Sequence, residues 1–365
     1  MRIINIVDRI DRVNFGIWNA ATASCEILYR KFGCISEIWF PEDKNMPSES
    51  EFHGALPEIL TDLNIESVKK IIKIKNLNPA DTLVVSHGCW RFPTLWGLEF
   101  ARLGFKWIYT PHGMLEPWCM HSKRIKKLIY FKFAEKPAVV MSSGIRVVSL
   151  PEKKHIIDIF SKNSNIQYVP NGAEVPENLY IKSGSKNTVL FLGRLNHKKG
   201  VCELASAWKK SQLFNNQNFE LIFAGPDDGE LENLKKIVSE NDNIKILPPV
   251  KGKDKSNLFK KARFFFLPSK SEGFASSAVE SMAYGCIPIL TEQCNFIEVF
   301  QHKFGIKTGY TENEILKTLN SLVEFVNTQN INQLSVDVYN FCKNNFSESI
   351  VAEKLFEFYQ SILKK

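Results

Sequence analysis

Two short apolar runs constrain the fold most: Phe264–Leu267 followed by Pro268, and Ile287–Leu290. Each is too short for a helix, and an unbroken apolar run of that length suits a parallel strand buried on both faces. Between them Ala278, Val279, Met282 and Ala283 recur at helical spacing. Ser276 or Ser277 stands where a helix N-cap belongs, and Gly285 suits the helix end. Strand, loop, helix and strand make a unit whose loop opens at the carboxyl edge of the sheet, where open α/β sheets bind ligands. Glu272 therefore overhangs a crevice beside a helix N-terminus, and Glu280 lies one turn into the helix.

The same alternation extends in both directions. Runs at 189–192, Phe219–Ala224 and Ile244–Leu247 read as further strands separated by helical segments, the order of a doubly wound parallel sheet. Upstream, residues 3–7, 35–40, 82–86, 106–109, 147–149 and 166–169 read as strands, with helices expected over 19–32 and 65–74. Pro170-Asn171-Gly172 and Pro176 open a turn-rich stretch, so residues 176–187 are the expected linker. A length of 365 residues is natural for two α/β domains, expected at 1–176 and 177–345.

Composition narrows the class. With 44% hydrophobic and 24% charged residues the chain is not expected to be disordered. A net charge of +8 is compatible with phosphate or anionic lipid partners, but the basic residues lack the interleaved aromatics of a nucleic-acid platform. The cysteines at 25, 34, 89, 119, 202, 286, 294 and 342 show no metal-ligand spacing and read as free thiols in a reducing compartment. No stretch approaches the ~18 apolar residues of a membrane span, and the apolar start is too short for a signal peptide. A cytoplasmic protein is expected.

Two loops carry the chemistry. After the strand at 189–192 comes Gly193-Arg194-Leu195-Asn196-His197-Lys198-Lys199-Gly200, a cationic loop at the carboxyl edge of the same sheet that presents Glu272. An Arg fork and a Lys point charge stabilise negative charge developing on a departing phosphate. Carboxylates suit hydroxyls instead. Read locally, Ser277-Ala278-Val279-Glu280 is a capping box, and Glu272 is a solvated loop acid.

Read together, Glu272 and Glu280 resemble the E-x(7)-E signature of retaining glycosyltransferases of family 4, and Arg194 with Lys199 falls on that family's G-R-x-K-G pattern. The resemblance implies the GT-B fold, two Rossmann-like domains facing each other across a cleft. The first would bind acceptor and be rejoined by a last helix within about 346–365; the second would bind a nucleoside diphosphate sugar. It implies Glu280 on the ribose and Glu272 on the donor hexose. Gly193, Gly273, Phe274, Ala275, Ser276 and Ser277 would line the donor site. Thr110-Pro111-His112-Gly113-Met114-Leu115 is similar to a turn of bacterial surface-polysaccharide members of the family, which would set His112 against the donor sugar. Asn14-Phe15-Gly16 stands where the family keeps a glycine-rich loop, so Gly16 is a candidate for close approach to phosphate.

The implied reaction is retaining transfer of a hexose from a UDP- or GDP-sugar to a sugar hydroxyl of a lipid-linked acceptor in O-antigen, capsule or lipopolysaccharide synthesis. Front-face attack is the implied course. The chain has no D-x-D, so no metal or other cofactor is expected, the cations standing in for it. Two other readings stay open: a nucleotide-sugar epimerase of similar fold, and a catalytically silent nucleotide-sugar-binding protein. Finally, residues 123–133 form a basic helix whose Ile125, Leu128, Ile129 and Phe133 share a face. That face either packs into the core or meets an anionic membrane.

Overall fold

A computed structural model describes the whole chain except residues 12–14, 44–45, 122–123, 161–164, 181, 183–185, 240–241 and 365, and the side chain of His121. The chain divides into two compact units, Met1–Gly172 with Glu348–Lys365, and Ala173–Ser347. Part of the expected linker, at 181 and 183–185, lies outside the described residues, as do Asn14 of the expected glycine loop and Lys123 of the basic helix.

The first unit is built on seven strands: β1 (Arg2–Val7), β2 (Ile35–Pro41), β3 (Leu56–Leu60), β4 (Thr82–His87), β5 (Lys106–Thr110), β6 (Gly144–Val147) and β7 (Ile166–Tyr168). They pair in parallel in the order β3-β2-β1-β4-β5-β6-β7. The second unit has β8 (Asn187–Leu192), β9 (Phe219–Ala224), β10 (Ile244–Leu247), β11 (Phe264–Leu267), β12 (Ile287–Leu290) and β13 (Ile306–Lys307). These are also parallel, in the order β10-β9-β8-β11-β12-β13. Each sheet thus winds outward both ways from its first strand. The strand order reverses between β1 and β4 and between β8 and β11, and such switch points are where doubly wound sheets bind ligands.

Period-two alternation explains how the first sheet is covered on both faces. Ile4, Ile6, Val84, Trp107 and Tyr109 join Trp96 and Phe100 on one side. Ile3, Leu83, Val85 and Ile108 join Val351, Ala352, Leu355, Phe358 and Ile362 on the other. The latter belong to the final helix, Glu348–Leu363, which is thereby part of the first unit. Gly144 makes room for it, since a Cβ there would lie 2.9 Å from the Ile362 side chain.

Several elements differ from the sequence reading. The single helix expected over 19–32 is two, Phe15–Thr22 and Cys25–Phe32. The Thr22 hydroxyl donates back to the Trp18 carbonyl at 3.1 Å, a local bond that weakens continuation of a helix. β3 carries Pro57 and has no strong alternation, which an edge strand tolerates. The strand expected at 147–149 is β6, three residues earlier. The basic segment is a helix, Arg124–Tyr130, then a π-turn, Phe131–Glu135, then a helix, Lys136–Val140.

The π-turn adds a residue to the helical register and turns Glu135 inward, where it is fully buried. Its carboxylate accepts from the Trp90 N–H (3.2 Å), the Thr94 hydroxyl (2.9 Å) and the Tyr109 hydroxyl (2.8 Å). Ile125, Ile129 and Phe133 are 74%, 56% and 72% exposed, so of the two readings of this stripe the one that packs it into the core is overturned. Among the described residues no helix is long and apolar enough to cross a membrane, and the eight cysteines are free thiols.

Candidate functional site

The loops after β8 and β11 flank the switch point of the second sheet, and backbone bonds knit them into one surface. Leu195 N–H donates to the Pro226 carbonyl (2.8 Å), and Asp228 N–H donates to the Leu195 carbonyl (3.0 Å), tying the β8 loop to the β9 loop. Lys270 N–H donates to the Lys198 carbonyl at 2.8 Å, tying it to the β11 loop. Close approach is possible because of two glycines. Gly200, at φ +71°, would place a Cβ 2.6 Å from the Pro268 carbonyl oxygen, and Gly225, at φ +153°, would place one 1.8 Å from the Gly193 carbonyl oxygen. From below, Glu272 N–H donates to the Gln293 carbonyl and Asn295 Nδ2 to the Glu272 carbonyl, each at 2.8 Å.

On this frame the side chains converge. Lys199 Nζ lies 2.6 Å from Glu272 Oε1, which also accepts from the Ser269 hydroxyl. Arg194 Nη1 lies 2.9 Å from Asp228 Oδ2, which also accepts from Asn196 Nδ2 at 2.8 Å. The Arg194–Asp228 pair is over a third exposed on the Arg side. Such a pair contributes about 0–1 kcal/mol, so the guanidinium is released to an incoming anion at little cost. The Lys199 and Glu272 side chains are only 16% and 12% exposed, so this pair is set more firmly.

The capping-box reading of Ser277 and Glu280 is overturned. The helix is Ser276–Met282 with Ala275 at its N-cap and no side-chain cap bond, so Glu280 sits too deep to reach the helix start. Glu280 Oε2 instead pairs with Lys255 Nζ at 2.7 Å. The Ser276 and Ala278 N–H groups donate to the Phe274 and Ala275 carbonyls, each at 2.9 Å. Ser277 and Gly273 are half-buried in the same turn. The Phe274 ring packs on Phe296 with centroids 5.5 Å apart, so its side chain serves packing. Gly193 begins the β8 loop, with its N–H donated to the Ala224 carbonyl at 3.0 Å.

Two of the expected residues lie in the first unit. Gly16 is exposed in the helix Phe15–Thr22, where a Cβ would meet nothing within 4 Å, so neither a turn nor packing requires glycine. His112 follows β5 at φ +53°, a left-handed conformation costly for a side chain with a Cβ. Its turn is fixed by Gly113 N–H, which donates to Glu152 Oε1 at 2.5 Å. His112 Nε2 lies 2.9 Å from His87 Nδ1, and His87 Nε2 lies 3.1 Å from Asn5 Oδ1. These three residues come from β1, β4 and the turn after β5, at the switch point of the first sheet. Sequence reading missed Asn5, His87 and Asp228. The signals were a polar residue inside the apolar β1 run, a histidine ending β4, and the Asp227-Asp228-Gly229 turn.

Burial, reinforced by Arg146, pushes His112 down to about 3, and burial and His112 push His87 well below its usual value. Unfolded histidines titrate near 6.5, so below that pH unfolding takes up protons and stability falls as pH falls. Burial raises Glu152 to about 7, which acts with the opposite sign over the same range. His112→Asn tolerates the left-handed backbone and leaves Glu152 in place. Between pH 6.5 and 5.5 it should lose about 1 kcal/mol less stability than wild type, measured by urea unfolding. Equal losses in both proteins would show that His112 is not held neutral.

Residues 179–325 match the family profile described as glycosyl transferases group 1. This stretch is a glycosyltransferase domain. Arg194, Lys199, Glu272 and Glu280 all lie within the glycosyltransferase domain. The chain is 25% identical over 226 residues to an uncharacterized glycosyltransferase of Haemophilus influenzae, covering 60% of this chain and 61% of that protein. It is 26% identical over 189 residues to the GDP-mannose:cellobiosyl-diphosphopolyprenol alpha-mannosyltransferase of Xanthomonas campestris, covering 49% and 48%. The chain thus spans about half to three fifths of the length of these curated relatives. Its structure is similar to Anabaena Alr3699/HepE in complex with UDP and glucose, with a TM-score of 0.73, 16% identity, and coverage of 99% of this chain and 100% of that one. The glycosyltransferase domain and the unit before it together form the GT-B fold.

Proposed function

We propose that the chain transfers a hexose from a nucleoside diphosphate sugar to a sugar hydroxyl of a lipid-linked acceptor, with retention at the anomeric carbon and without a metal ion, in cell-surface polysaccharide synthesis. The observation that carries this reading is the meeting of Lys199 and Glu272, 2.6 Å apart, from two loops beside the switch point of a glycosyltransferase domain. A cation and a carboxylate held side by side suit the two ends of a sugar–diphosphate bond. Lys199 and Arg194 take the charge that develops on the leaving phosphate, and Glu272 orients the hexose by its hydroxyls. Glu280 exchanges Lys255 for the ribose hydroxyls. The relatives support this donor class, one named for GDP-mannose and a structural neighbour holding UDP and glucose. A Klebsiella pneumoniae relative from a cps region supports a polysaccharide role.

Substituting the two carboxylates separates their roles. Glu280→Gln should weaken donor binding by about 1–3 kcal/mol, because an amide loses charge-assisted strength toward ribose hydroxyls. Glu272→Gln should leave nucleotide affinity near wild type and slow transfer. Calorimetric titration with UDP-glucose and GDP-mannose, beside a transfer assay, reads both. Normal binding and normal turnover in both variants would contradict the assignment.

The face left exposed by Ile125, Ile129 and Phe133 carries the exposed Arg124, Lys126 and Lys132 around it, while Lys127 donates to the Cys119 carbonyl. Apolar anchors with flanking cations fit an anionic bilayer on the cytoplasmic side, each cation contributing about 1 kcal/mol near the surface. Replacing Ile125, Ile129 and Phe133 together by serine should abolish sedimentation with phosphatidylserine vesicles. In wild type that binding should weaken with salt. Equal wild-type binding to neutral and anionic vesicles would rule out this mode of attachment.

A further inference from the structure

The short turn that carries Lys199, His197–Lys199, is gripped from the β11 loop by one residue. Lys270 N–H donates to the Lys198 carbonyl at 2.8 Å. Its Nζ lies 3.0 Å from His197 Nε2 and 2.7 Å from Glu203 Oε1, in the first turn of the helix Val201–Lys210. An ammonium has three donors and no acceptor, so His197 Nε2 accepts, and the neutral ring carries its proton on Nδ1. Lys270 stands two residues before Glu272, and its neighbour Ser269 donates to the Glu272 carboxylate. One residue therefore joins the two loops whose meeting puts Lys199 and Glu272 2.6 Å apart.

Lys270 is poorly placed to be one more phosphate ligand. Its side chain is 14% exposed and that of Glu203 24%, so this pair is more enclosed than Arg194 with Asp228, at 39% and 33%. Glu230, held below its usual range first by Asn233 and Cys202 and further by Lys270, adds a second carboxylate to the same surroundings. The ammonium is thus already neutralised from within the protein. We infer that Lys270, anchored by Glu203 and His197, is a positioning residue that holds the Lys199 turn in register with Glu272. The inference deepens the proposed function and rests on its roles for Lys199 and Glu272. A shift of about 1 Å in a positioned group can cost up to about 10²-fold in rate. Arg194 is held separately, through the bonds of Leu195 to the β9 loop, so its grip on the diphosphate does not depend on Lys270.

Nitrogen-detected NMR of the full chain labelled with ¹⁵N-histidine tests the clamp without any ligand. At a pH where the ring is neutral, His197 should carry its proton on Nδ1, and Lys270→Met should move it toward Nε2. A proton on Nε2 in wild type, or an unchanged His197 signal in the variant, would overturn the clamp. Turnover is read as donor hydrolysis, water standing in for the acceptor, with UDP-glucose or GDP-mannose, whichever binds. Lys270→Met should lower kcat roughly 10-fold with affinity for UDP or GDP nearly unchanged. Glu203→Gln should act in the same direction, and the double variant should lose little more than Lys270→Met alone. Tighter donor binding in Glu203→Gln would make Lys270 a phosphate ligand and overturn the positioning role. An unchanged kcat in Lys270→Met, whatever its unfolding temperature, would reduce the pair to a structural tie and overturn it too, as would losses that multiply in the double variant. If no nucleoside diphosphate sugar binds, the proposed function falls together with the kinetic role, and the spectra still decide the clamp.

Discussion

Replacing Lys199 or Arg194 by alanine is expected to lower transfer turnover by about 10²-fold or more in each case. Removing a donor that holds the diphosphate and meets still more negative charge in the transition state costs about 3 kcal/mol of barrier, whereas its effect on the resting protein depends on what it leaves unpaired. For Arg194 that is Asp228, one-third exposed and still bonded to Asn196, so stability should barely change. For Lys199 it is Glu272, which is mostly buried but keeps the Ser269 hydroxyl. A stability loss of about 1–3 kcal/mol is expected there. Lys199→Ala should therefore show both effects and Arg194→Ala chiefly the kinetic one. Wild-type turnover in both variants would refute the roles assigned to them.

Gly225→Ala is expected to destabilise the protein by about 3 kcal/mol or more. Its φ of +153° is poorly accessible to any side chain, and its Cβ would fall 1.8 Å from the Gly193 carbonyl oxygen. Backbone cannot yield as a side-chain tip can. The β8 and β9 loops would have to part, breaking the bonds that Leu195 makes to Pro226 and Asp228 and moving Arg194 off its site. Gly229 is the control in the neighbouring turn. Its φ is +101°, but a Cβ there meets nothing within 4 Å, so Gly229→Ala should cost only the local strain of about 1–3 kcal/mol. Urea unfolding of the two variants compares them directly, and equal losses would show that the close approach at Gly225 is unimportant.

What the sequence made legible follows from the range of each interaction. Phe264–Leu267 and Ile287–Leu290 declare themselves as buried strands because their burial is uniform, and the loops between such strands are then placed by topology. Arg194, Lys199 and Glu272 were placed at the carboxyl edge of the second sheet this way, and the structure puts them in the loops there. Short-range logic failed where tertiary contacts chose differently. Ser277 and Glu280 have capping-box spacing, but the helix begins from Ala275, so their registry relative to the helix end does not permit the reciprocal bonds. The apolar spacing of Ile125, Leu128, Ile129 and Phe133 left a packed and an exposed stripe both open, and the structure, with Glu135 buried at the π-turn, leaves the stripe in solvent. Asp228 and the pair Asn5 and His87 matter through partners 34 and 82 positions away, a separation that carries no periodic signal.

The central claim is that the loops beside the switch point of the glycosyltransferase domain bind a nucleoside diphosphate sugar. Titrating UDP- and GDP-sugars into the purified chain by calorimetry, with Arg194→Ala in parallel, tests it most directly. One donor should bind the wild type, raise its unfolding temperature further as its concentration rises above Kd, and bind the variant at least about 10-fold more weakly. Saturable binding that is identical in the variant, or no binding by any of these sugars, would contradict the account.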